Sequence, residues 1–143
     1  MNLSSKRSSE LTEHFSWHEA LYLPQWDREG EEKDGLSEGV KRNLRTLFSK
    51  MELIRSLVAS PIKVHCAWRP VEYNKLVKGA SNSAHIQGMA CDFSVSGLSC
   101  DQVREMIVPH LEEWNLRMEN LPGSSWVHVD FRQVGPGGRY FKP

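Results

Sequence analysis

Apolar residues recur at helical spacing through one long stretch of the chain. Val40, Leu44, Leu47, Phe48, Met51, Ile54, Leu57 and Val58 fall on one face of a helix that the pattern places over residues 37–59. Ser37 is its expected N-cap, and the stripe reads as core. Elsewhere the period drops to two. Over residues 62–69, Ile62, Val64, Cys66 and Trp68 alternate with Lys63, His65, Ala67 and Arg69, as in a half-buried strand. Residues 89–95 alternate again, with Cys91, Phe93 and Val95 on one face and Ala90, Asp92 and Ser94 on the other. A third strand over residues 126–132 sets Val127, Val129 and Phe131 against Trp126, His128, Asp130 and Arg132. Pro70 suits the first turn of a short helix reaching Lys78, with Gly79 as its stop. Ser99 and Gln102 form a capping-box pattern. The helix it opens carries Val103, Met106, Ile107 and Leu111, and Pro109 kinks or interrupts it. Each of the three strands has one apolar and one polar face. If they share a sheet, Arg69, Asp92, His128 and Asp130 line one cleft.

A length of 143 residues implies a single domain over residues 1–143 with one core. Residues 1–12 are polar and expected to be loose. Residues 25–39 form a charged, glycine-bearing loop whose charges are expected to be solvated. The 18 basic residues balance 18 acidic ones, which argues against a nucleic-acid or membrane-surface binder acting by bulk charge. No apolar run is long enough to span a bilayer, so no membrane insertion is expected. The N-terminal residues show no apolar signal segment, which suggests synthesis in the cytoplasm without a signal peptide. Cys66, Cys91 and Cys100 lack any C-x-x-C spacing and read as reduced, buried thiols.

The chemistry concentrates in Ser83-Ala84-His85-Ile86-Gln87-Gly88-Met89-Ala90-Cys91-Asp92. An imidazole and a carboxylate stand seven residues apart. Gly88 between them permits the sharp reversal that would bring His85 back over Asp92. Trp126-Val127-His128-Val129-Asp130 offers a second imidazole on a strand. Two His and one Asp are three ligands, and a catalytic zinc site takes three while keeping a fourth position open for water. His14, His18 and His110 have no partner pattern. The chain therefore reads first as a small zinc hydrolase.

These residues resemble the zinc-binding signature of the D-alanyl-D-alanine carboxypeptidases and their relatives, a group that includes hedgehog signalling domains. Leu11 to Ser16 resembles the family's lead-in, and Trp68-Arg69-Pro70-Val71-Glu72-Tyr73-Asn74 its Tyr-Arg-Ser-x-x-x-Asn segment. Gly79 to His85 and Trp126 to Asp130 follow in the family's order. Small phage and prophage cell-wall peptidases are the most similar in length and layout. The resemblance implies an α+β, hedgehog/DD-peptidase-like fold, with a small, mainly antiparallel sheet and helices packed on one side. It implies one zinc ion on His85, Asp92 and His128, with Arg69 beside the substrate and Ser83 bonding substrate or a ligand. The implied activity is a zinc metallopeptidase that hydrolyses peptidoglycan stem peptides with metal-activated water. It would be a D-Ala-D-Ala carboxypeptidase or an L-Ala-D-acid endopeptidase, of bacterial or phage endolysin type. A monomer is expected, reaching the cell wall after phage-type release or in a virion.

Some relatives carry a carboxylate three residues before the last His, where this chain has Ser125. Glu119 is assigned the general-base role, with the loop 120–125 folding it back toward His128. Asp130 is assigned the support of His128, and stays open as an alternative base. His65 is read as a packing or supporting residue. Two other readings remain: a non-catalytic zinc-binding structural or binding module of the same fold, for which Ser125 is the motive, and a metal-free domain.

Overall fold

A computed structural model describes residues 9–143. Two short hairpins come first. β1 (Glu10–Thr12) pairs with β2 (Phe15–Ser16), and β3 (Tyr22–Leu23) with β4 (Arg28–Glu29). Residues 10–12, expected to be loose, are thus paired; the earlier part of that segment lies outside the described residues. The pairing persists because Glu52 grips the hairpin, accepting from Thr12 Oγ1 and His14 N, both at 2.7 Å. Between the hairpins lies α1 (Trp17–Leu21), closed by a Ser16–Glu19 capping box. The charged loop is less solvated than expected, since Arg28 grips Asp34 at 2.7 and 3.0 Å.

α2 (Glu38–Val58) is the long helix, capped by Ser37 and ended by Ala59 in the left-handed conformation. β5 (Ile62–Cys66), α3 (Val71–Leu76) and a 3-10 turn at Ala84–Gln87 lead to β6 (Ala90–Val95). α4 (Cys100–Ile107) carries the Ser99–Gln102 capping box and passes at Pro109 into a 3-10 turn. β7 (Arg117–Glu119), β8 (Val127–Asp130) and β9 (Tyr140–Phe141) complete the described chain. Five strands form one sheet in the order β5-β6-β8-β7-β9. All its pairings are antiparallel except β7 with β9.

One face of this sheet is the core. Cys91, Phe93, Met118, Val127 and Val129 are fully buried there against Leu44, Leu47, Phe48 and Met51 of α2 and Val103 and Ile107 of α4. Each large side chain so buried contributes about 1.5–3 kcal/mol. The helices therefore cover one side and leave the other for the polar residues. No helix among the described residues is long and apolar enough to cross a membrane.

The alternation of residues 62–69 does not hold to its end. Val64 pairs with Phe93 but Cys66 with Asp92, so His65 is the extra residue of a β-bulge. The bulge reverses parity at Cys66 and Ala67, while Trp68, beyond the strand, lies in the core as expected. Cys66, expected in the core, lies on the face of Asp92, and Ala67, expected outside, joins the core.

Gly88 has φ +74°, and a Cβ there would stand 3.0 Å from Val40 O of α2. Both the reversal and the close approach thus exclude a side chain. Gly88→Ala should cost at least about 1–2 kcal/mol for the left-handed backbone alone, and more from the contact. Urea denaturation with an unchanged midpoint would contradict this.

Candidate metal centre

The β6–β8 register places Asp92 opposite His128, and Ala90 opposite Asp130. Across β7 and β8, Arg117 faces Asp130, so that Arg117 and Glu119 share the polar face while Met118 enters the core. Glu119 therefore reaches the site on a strand next to His128, not through a folded-back loop. Arg69, His85, Asp92, Glu119, His128 and Asp130 all line one cleft of about 400 Å³. A second lobe of about 310 Å³, bordered by His65, Cys66, Ser125 and Trp126, adjoins it through Arg69 and Asp92.

His85 comes from a loop, and the loop is held at several points. Arg69 N donates to His85 O at 3.0 Å, Trp68 Nε1 to Ile86 O at 3.1 Å, and Asn43 Nδ2 to Gln87 O at 2.9 Å. Ser83 caps the 3-10 turn, its Oγ accepting from His85 N at 3.2 Å. Asn74, almost wholly buried, donates to Ala80 O at 2.9 Å, and a Cβ at Gly79 would overlap its Oδ1. The motif glycines and Asn74 thus shape the approach to His85.

The imidazoles are oriented as ligands require. His85 Nδ1 donates to Ala67 O at 2.7 Å, which leaves Nε2 facing Asp92 Oδ2 at 3.2 Å. His128 Nδ1 stands 2.8 Å from Asp92 Oδ1, and Nε2 stands 2.9 Å from Asp130 Oδ2. Asp130 is itself gripped by Arg117 Nε and Nη2 at 2.7 and 3.0 Å. Ligand atoms of His85, Asp92 and His128 all lie within 4.8 Å of one another. In metal sites a ligating histidine commonly gives its other nitrogen to a carbonyl or carboxylate, and both do so here. The donor set therefore fits a divalent ion.

The electrostatics agree. Burial pushes the Asp92 carboxyl up, but the His85 charge and hydrogen bonds from His128 and His85 hold it far below the usual carboxylate range. Burial disfavours a charged His128, yet its bonds to Asp130 and Asp92 and the Asp92 charge raise it to about 10. Burial also raises Asp130, which the His128 and Arg117 bonds bring down to about 2. Facing two carboxylates, His128 is drawn toward its protonated form. A metal cation would take the place of its Nδ1 proton.

The other singled-out residues take these places. Ser83 shapes the His85 turn. Arg69 lies 3.5 Å from Asp92 Oδ2, with Nε donating to Cys66 Sγ at 3.4 Å and Nη1 to Asn74 Oδ1 at 3.4 Å. Asp130 is 1% exposed and committed to Arg117 and His128. His65 lies 2.8 Å from Ser94 Oγ. Arg117 and Phe141 were not foreseen. The only signal for Arg117 is the polar-apolar-polar triplet Arg117-Met118-Glu119, too short to register as a period. A further trio, Glu13, His14 and Glu52, gathers at the surface, where His14 Nδ1 bonds Glu52 at 2.7 Å and secures the first hairpin.

The chain belongs to the peptidase M15 family, whose model matches residues 27–130. Among solved structures it is similar to the L-Ala D-Glu endopeptidase ChiX of Serratia marcescens, with 16% sequence identity and a TM-score of 0.42 over 68% of this chain and 89% of that one. No curated protein matches it.

Stability of the chelator-treated protein should depend on pH from both sides. Asp92 and Asp130 have folded pKa values below the unfolded 3.8, so their contribution is present above about pH 4 and is lost as pH falls. His128 rises from 6.5 to about 10 on folding, so its contribution is full below 6.5 and lost as pH climbs through 10. The urea midpoint should therefore drop between pH 7 and 10, and His128→Gln should flatten that limb. A midpoint level across that range in the parent protein would refute the coupling.

Proposed function

We propose that this chain is a zinc-dependent peptidase that hydrolyses peptidoglycan stem peptides. The observation that carries the reading is the convergence of His85 Nε2, His128 Nδ1 and the Asp92 carboxylate, with Glu119 on the same cleft wall. His85, Asp92 and His128 would hold one zinc ion. Zinc in such a site supplies Lewis acidity, polarising a carbonyl and acidifying water.

The chain's own residues do the rest. Among the described residues, Glu119 has no ion pair or side-chain hydrogen bond, so its carboxylate is available for a proton. It takes the proton of the attacking water as the water oxygen bonds to the scissile carbonyl carbon. It then delivers that proton to the amide nitrogen as the C–N bond breaks. Arg69 presents a planar fork at the cleft beside Asp92, suited to a substrate carbonyl or carboxylate oxygen. Asp130 orients His128 and takes no part in the proton transfer. Ser83 acts by capping the His85 turn.

The substrate class follows from the resemblance of residues 68–74, 79–92 and 126–130 to cell-wall peptidases, together with membership of the M15 family. Two lobes meeting at Arg69 and Asp92 give room on either side of a scissile bond. Either D-Ala-D-Ala or an L-Ala-D-acid bond remains in view. The reading of a non-catalytic module took its motive from Ser125. Glu119 supplies the carboxylate that Ser125 lacks.

Glu119→Gln should reduce cleavage of purified muropeptides by about 10²–10⁴-fold, while zinc content stays at the parent level. Mass spectrometry of the digest identifies the bond. Full activity in the variant would overturn the base assignment. Stoichiometric zinc with no cleavage by the parent protein would favour the module.

A further inference from the structure

We propose that Arg117 is a positioning residue for the metal centre, and that Phe141 of β9 holds it in that role. The inference rests on the reading that His85, Asp92 and His128 hold zinc.

His128 can present Nδ1 beside Asp92 only if its ring is turned about one direction. Its other nitrogen meets Asp130 Oδ2 at 2.9 Å, so the position of that oxygen sets the ring. Asp130 cannot fix its own carboxylate. Arg117 does so, binding Oδ1 through Nε at 2.7 Å and Oδ2 through Nη2 at 3.0 Å. Arg132 N adds a bond to Oδ1 at 3.2 Å. Two parallel bonds from a rigid fork fix the carboxylate plane, which a single ammonium cannot. The carboxylate is 1% exposed, so bulk water is not at hand to replace the guanidinium.

Arg117 is in turn fixed from outside the pair. The guanidinium carbon lies 4.2 Å from the centroid of the Phe141 ring, an arrangement that favours a cation over an aromatic face. The same ring meets His128 edge-on, with centroids 6.4 Å apart and planes at 88°. Phe141 reaches this place because β9 pairs with β7 in parallel register, Glu119 against Phe141. Met118 N to Arg139 O at 2.7 Å and Asn120 N to Phe141 O at 2.6 Å secure the strand. A chain of contacts thus runs from β9 through Phe141, Arg117 and Asp130 to the ligand ring. Phe141, Arg117 and Asp130 all stand outside the trio His85, Asp92 and His128.

The test uses the full chain and two metals. Zinc affinity is measured by chelator competition, and the visible spectrum of the cobalt(II)-substituted protein reports ligand geometry. Arg117→Gln and Arg117→Lys should each weaken zinc by about 10–100-fold and shift the cobalt bands. Phe141→Leu should do the same to a smaller degree, and Phe141→Trp should restore both readouts. Should Arg117→Gln fail to fold by circular dichroism, Arg117→Lys and Phe141→Leu decide by the same measurements. Arg117 variants with parent zinc affinity sink the proposal. So does weaker zinc with unaltered cobalt bands, which would mark a merely structural role. An unaffected Phe141→Leu removes the role given to β9. A parent protein that binds no zinc sinks the peptidase reading along with this inference, whereas normal parent binding beside unaffected variants sinks the inference alone.

Discussion

Asp92 carries a negative charge into a place where bulk water barely reaches, and a charge so placed must be surrounded by cations and donors. Three separate parts of the chain meet that demand. His85 comes from a 3-10 turn, His128 from the neighbouring strand, and Arg69 from the segment after β5. The β6–β8 register makes this meeting compulsory. A slip of one residue would set Asp92 opposite Val127 or Val129 and turn the polar residues of one of the two strands into the core. Fully buried Phe93, Val127 and Val129 resist that slip from the other face. The apolar packing and the polar site are thus two sides of one register.

Division of labour between faces also explains how a chain of this size can hold a reactive centre. α2 and α4 cover one side of the sheet, and the other is left for the polar residues that line the cleft. Five of the polar groups, Asp92, Arg117, Glu119, His128 and Asp130, stand on strands, whose backbone is rigid. His85 stands on a loop, and that loop is tied down by Trp68, Arg69, Asn43 and the Ala67 carbonyl. The chain belongs to the M15 family, and its donor set is an ordered, hydrogen-bonded cluster that fits a divalent ion rather than a patch of solvated charge.

The readable parts of the chain were those with enough residues to show a period. α2 runs 21 residues, so its stripe and its Ser37 cap stand out. β6 alternates over six residues and β8 over four, and in both the expected core face is buried. The capping box at Ser99 is a local chemical pattern, legible without any partner. β7 and β9 hold three and two residues and exist only because neighbouring strands accept their hydrogen bonds. The bulge at His65 was hidden for a related reason. Alternation in the letters says nothing of an extra residue that only the partner strand reveals.

By itself the sequence determined which residues to single out as candidates: a spaced imidazole and carboxylate, a glycine for the reversal, and a second imidazole on a strand. These are local facts of type and spacing. Only the tertiary structure decided who faces whom. It paired Asp130 with Arg117, brought Glu119 into the cleft of His85, Asp92 and His128, and set Phe141 over the guanidinium. Those relations join residues far apart along the chain, and they follow from sheet order and register, which no single segment contains.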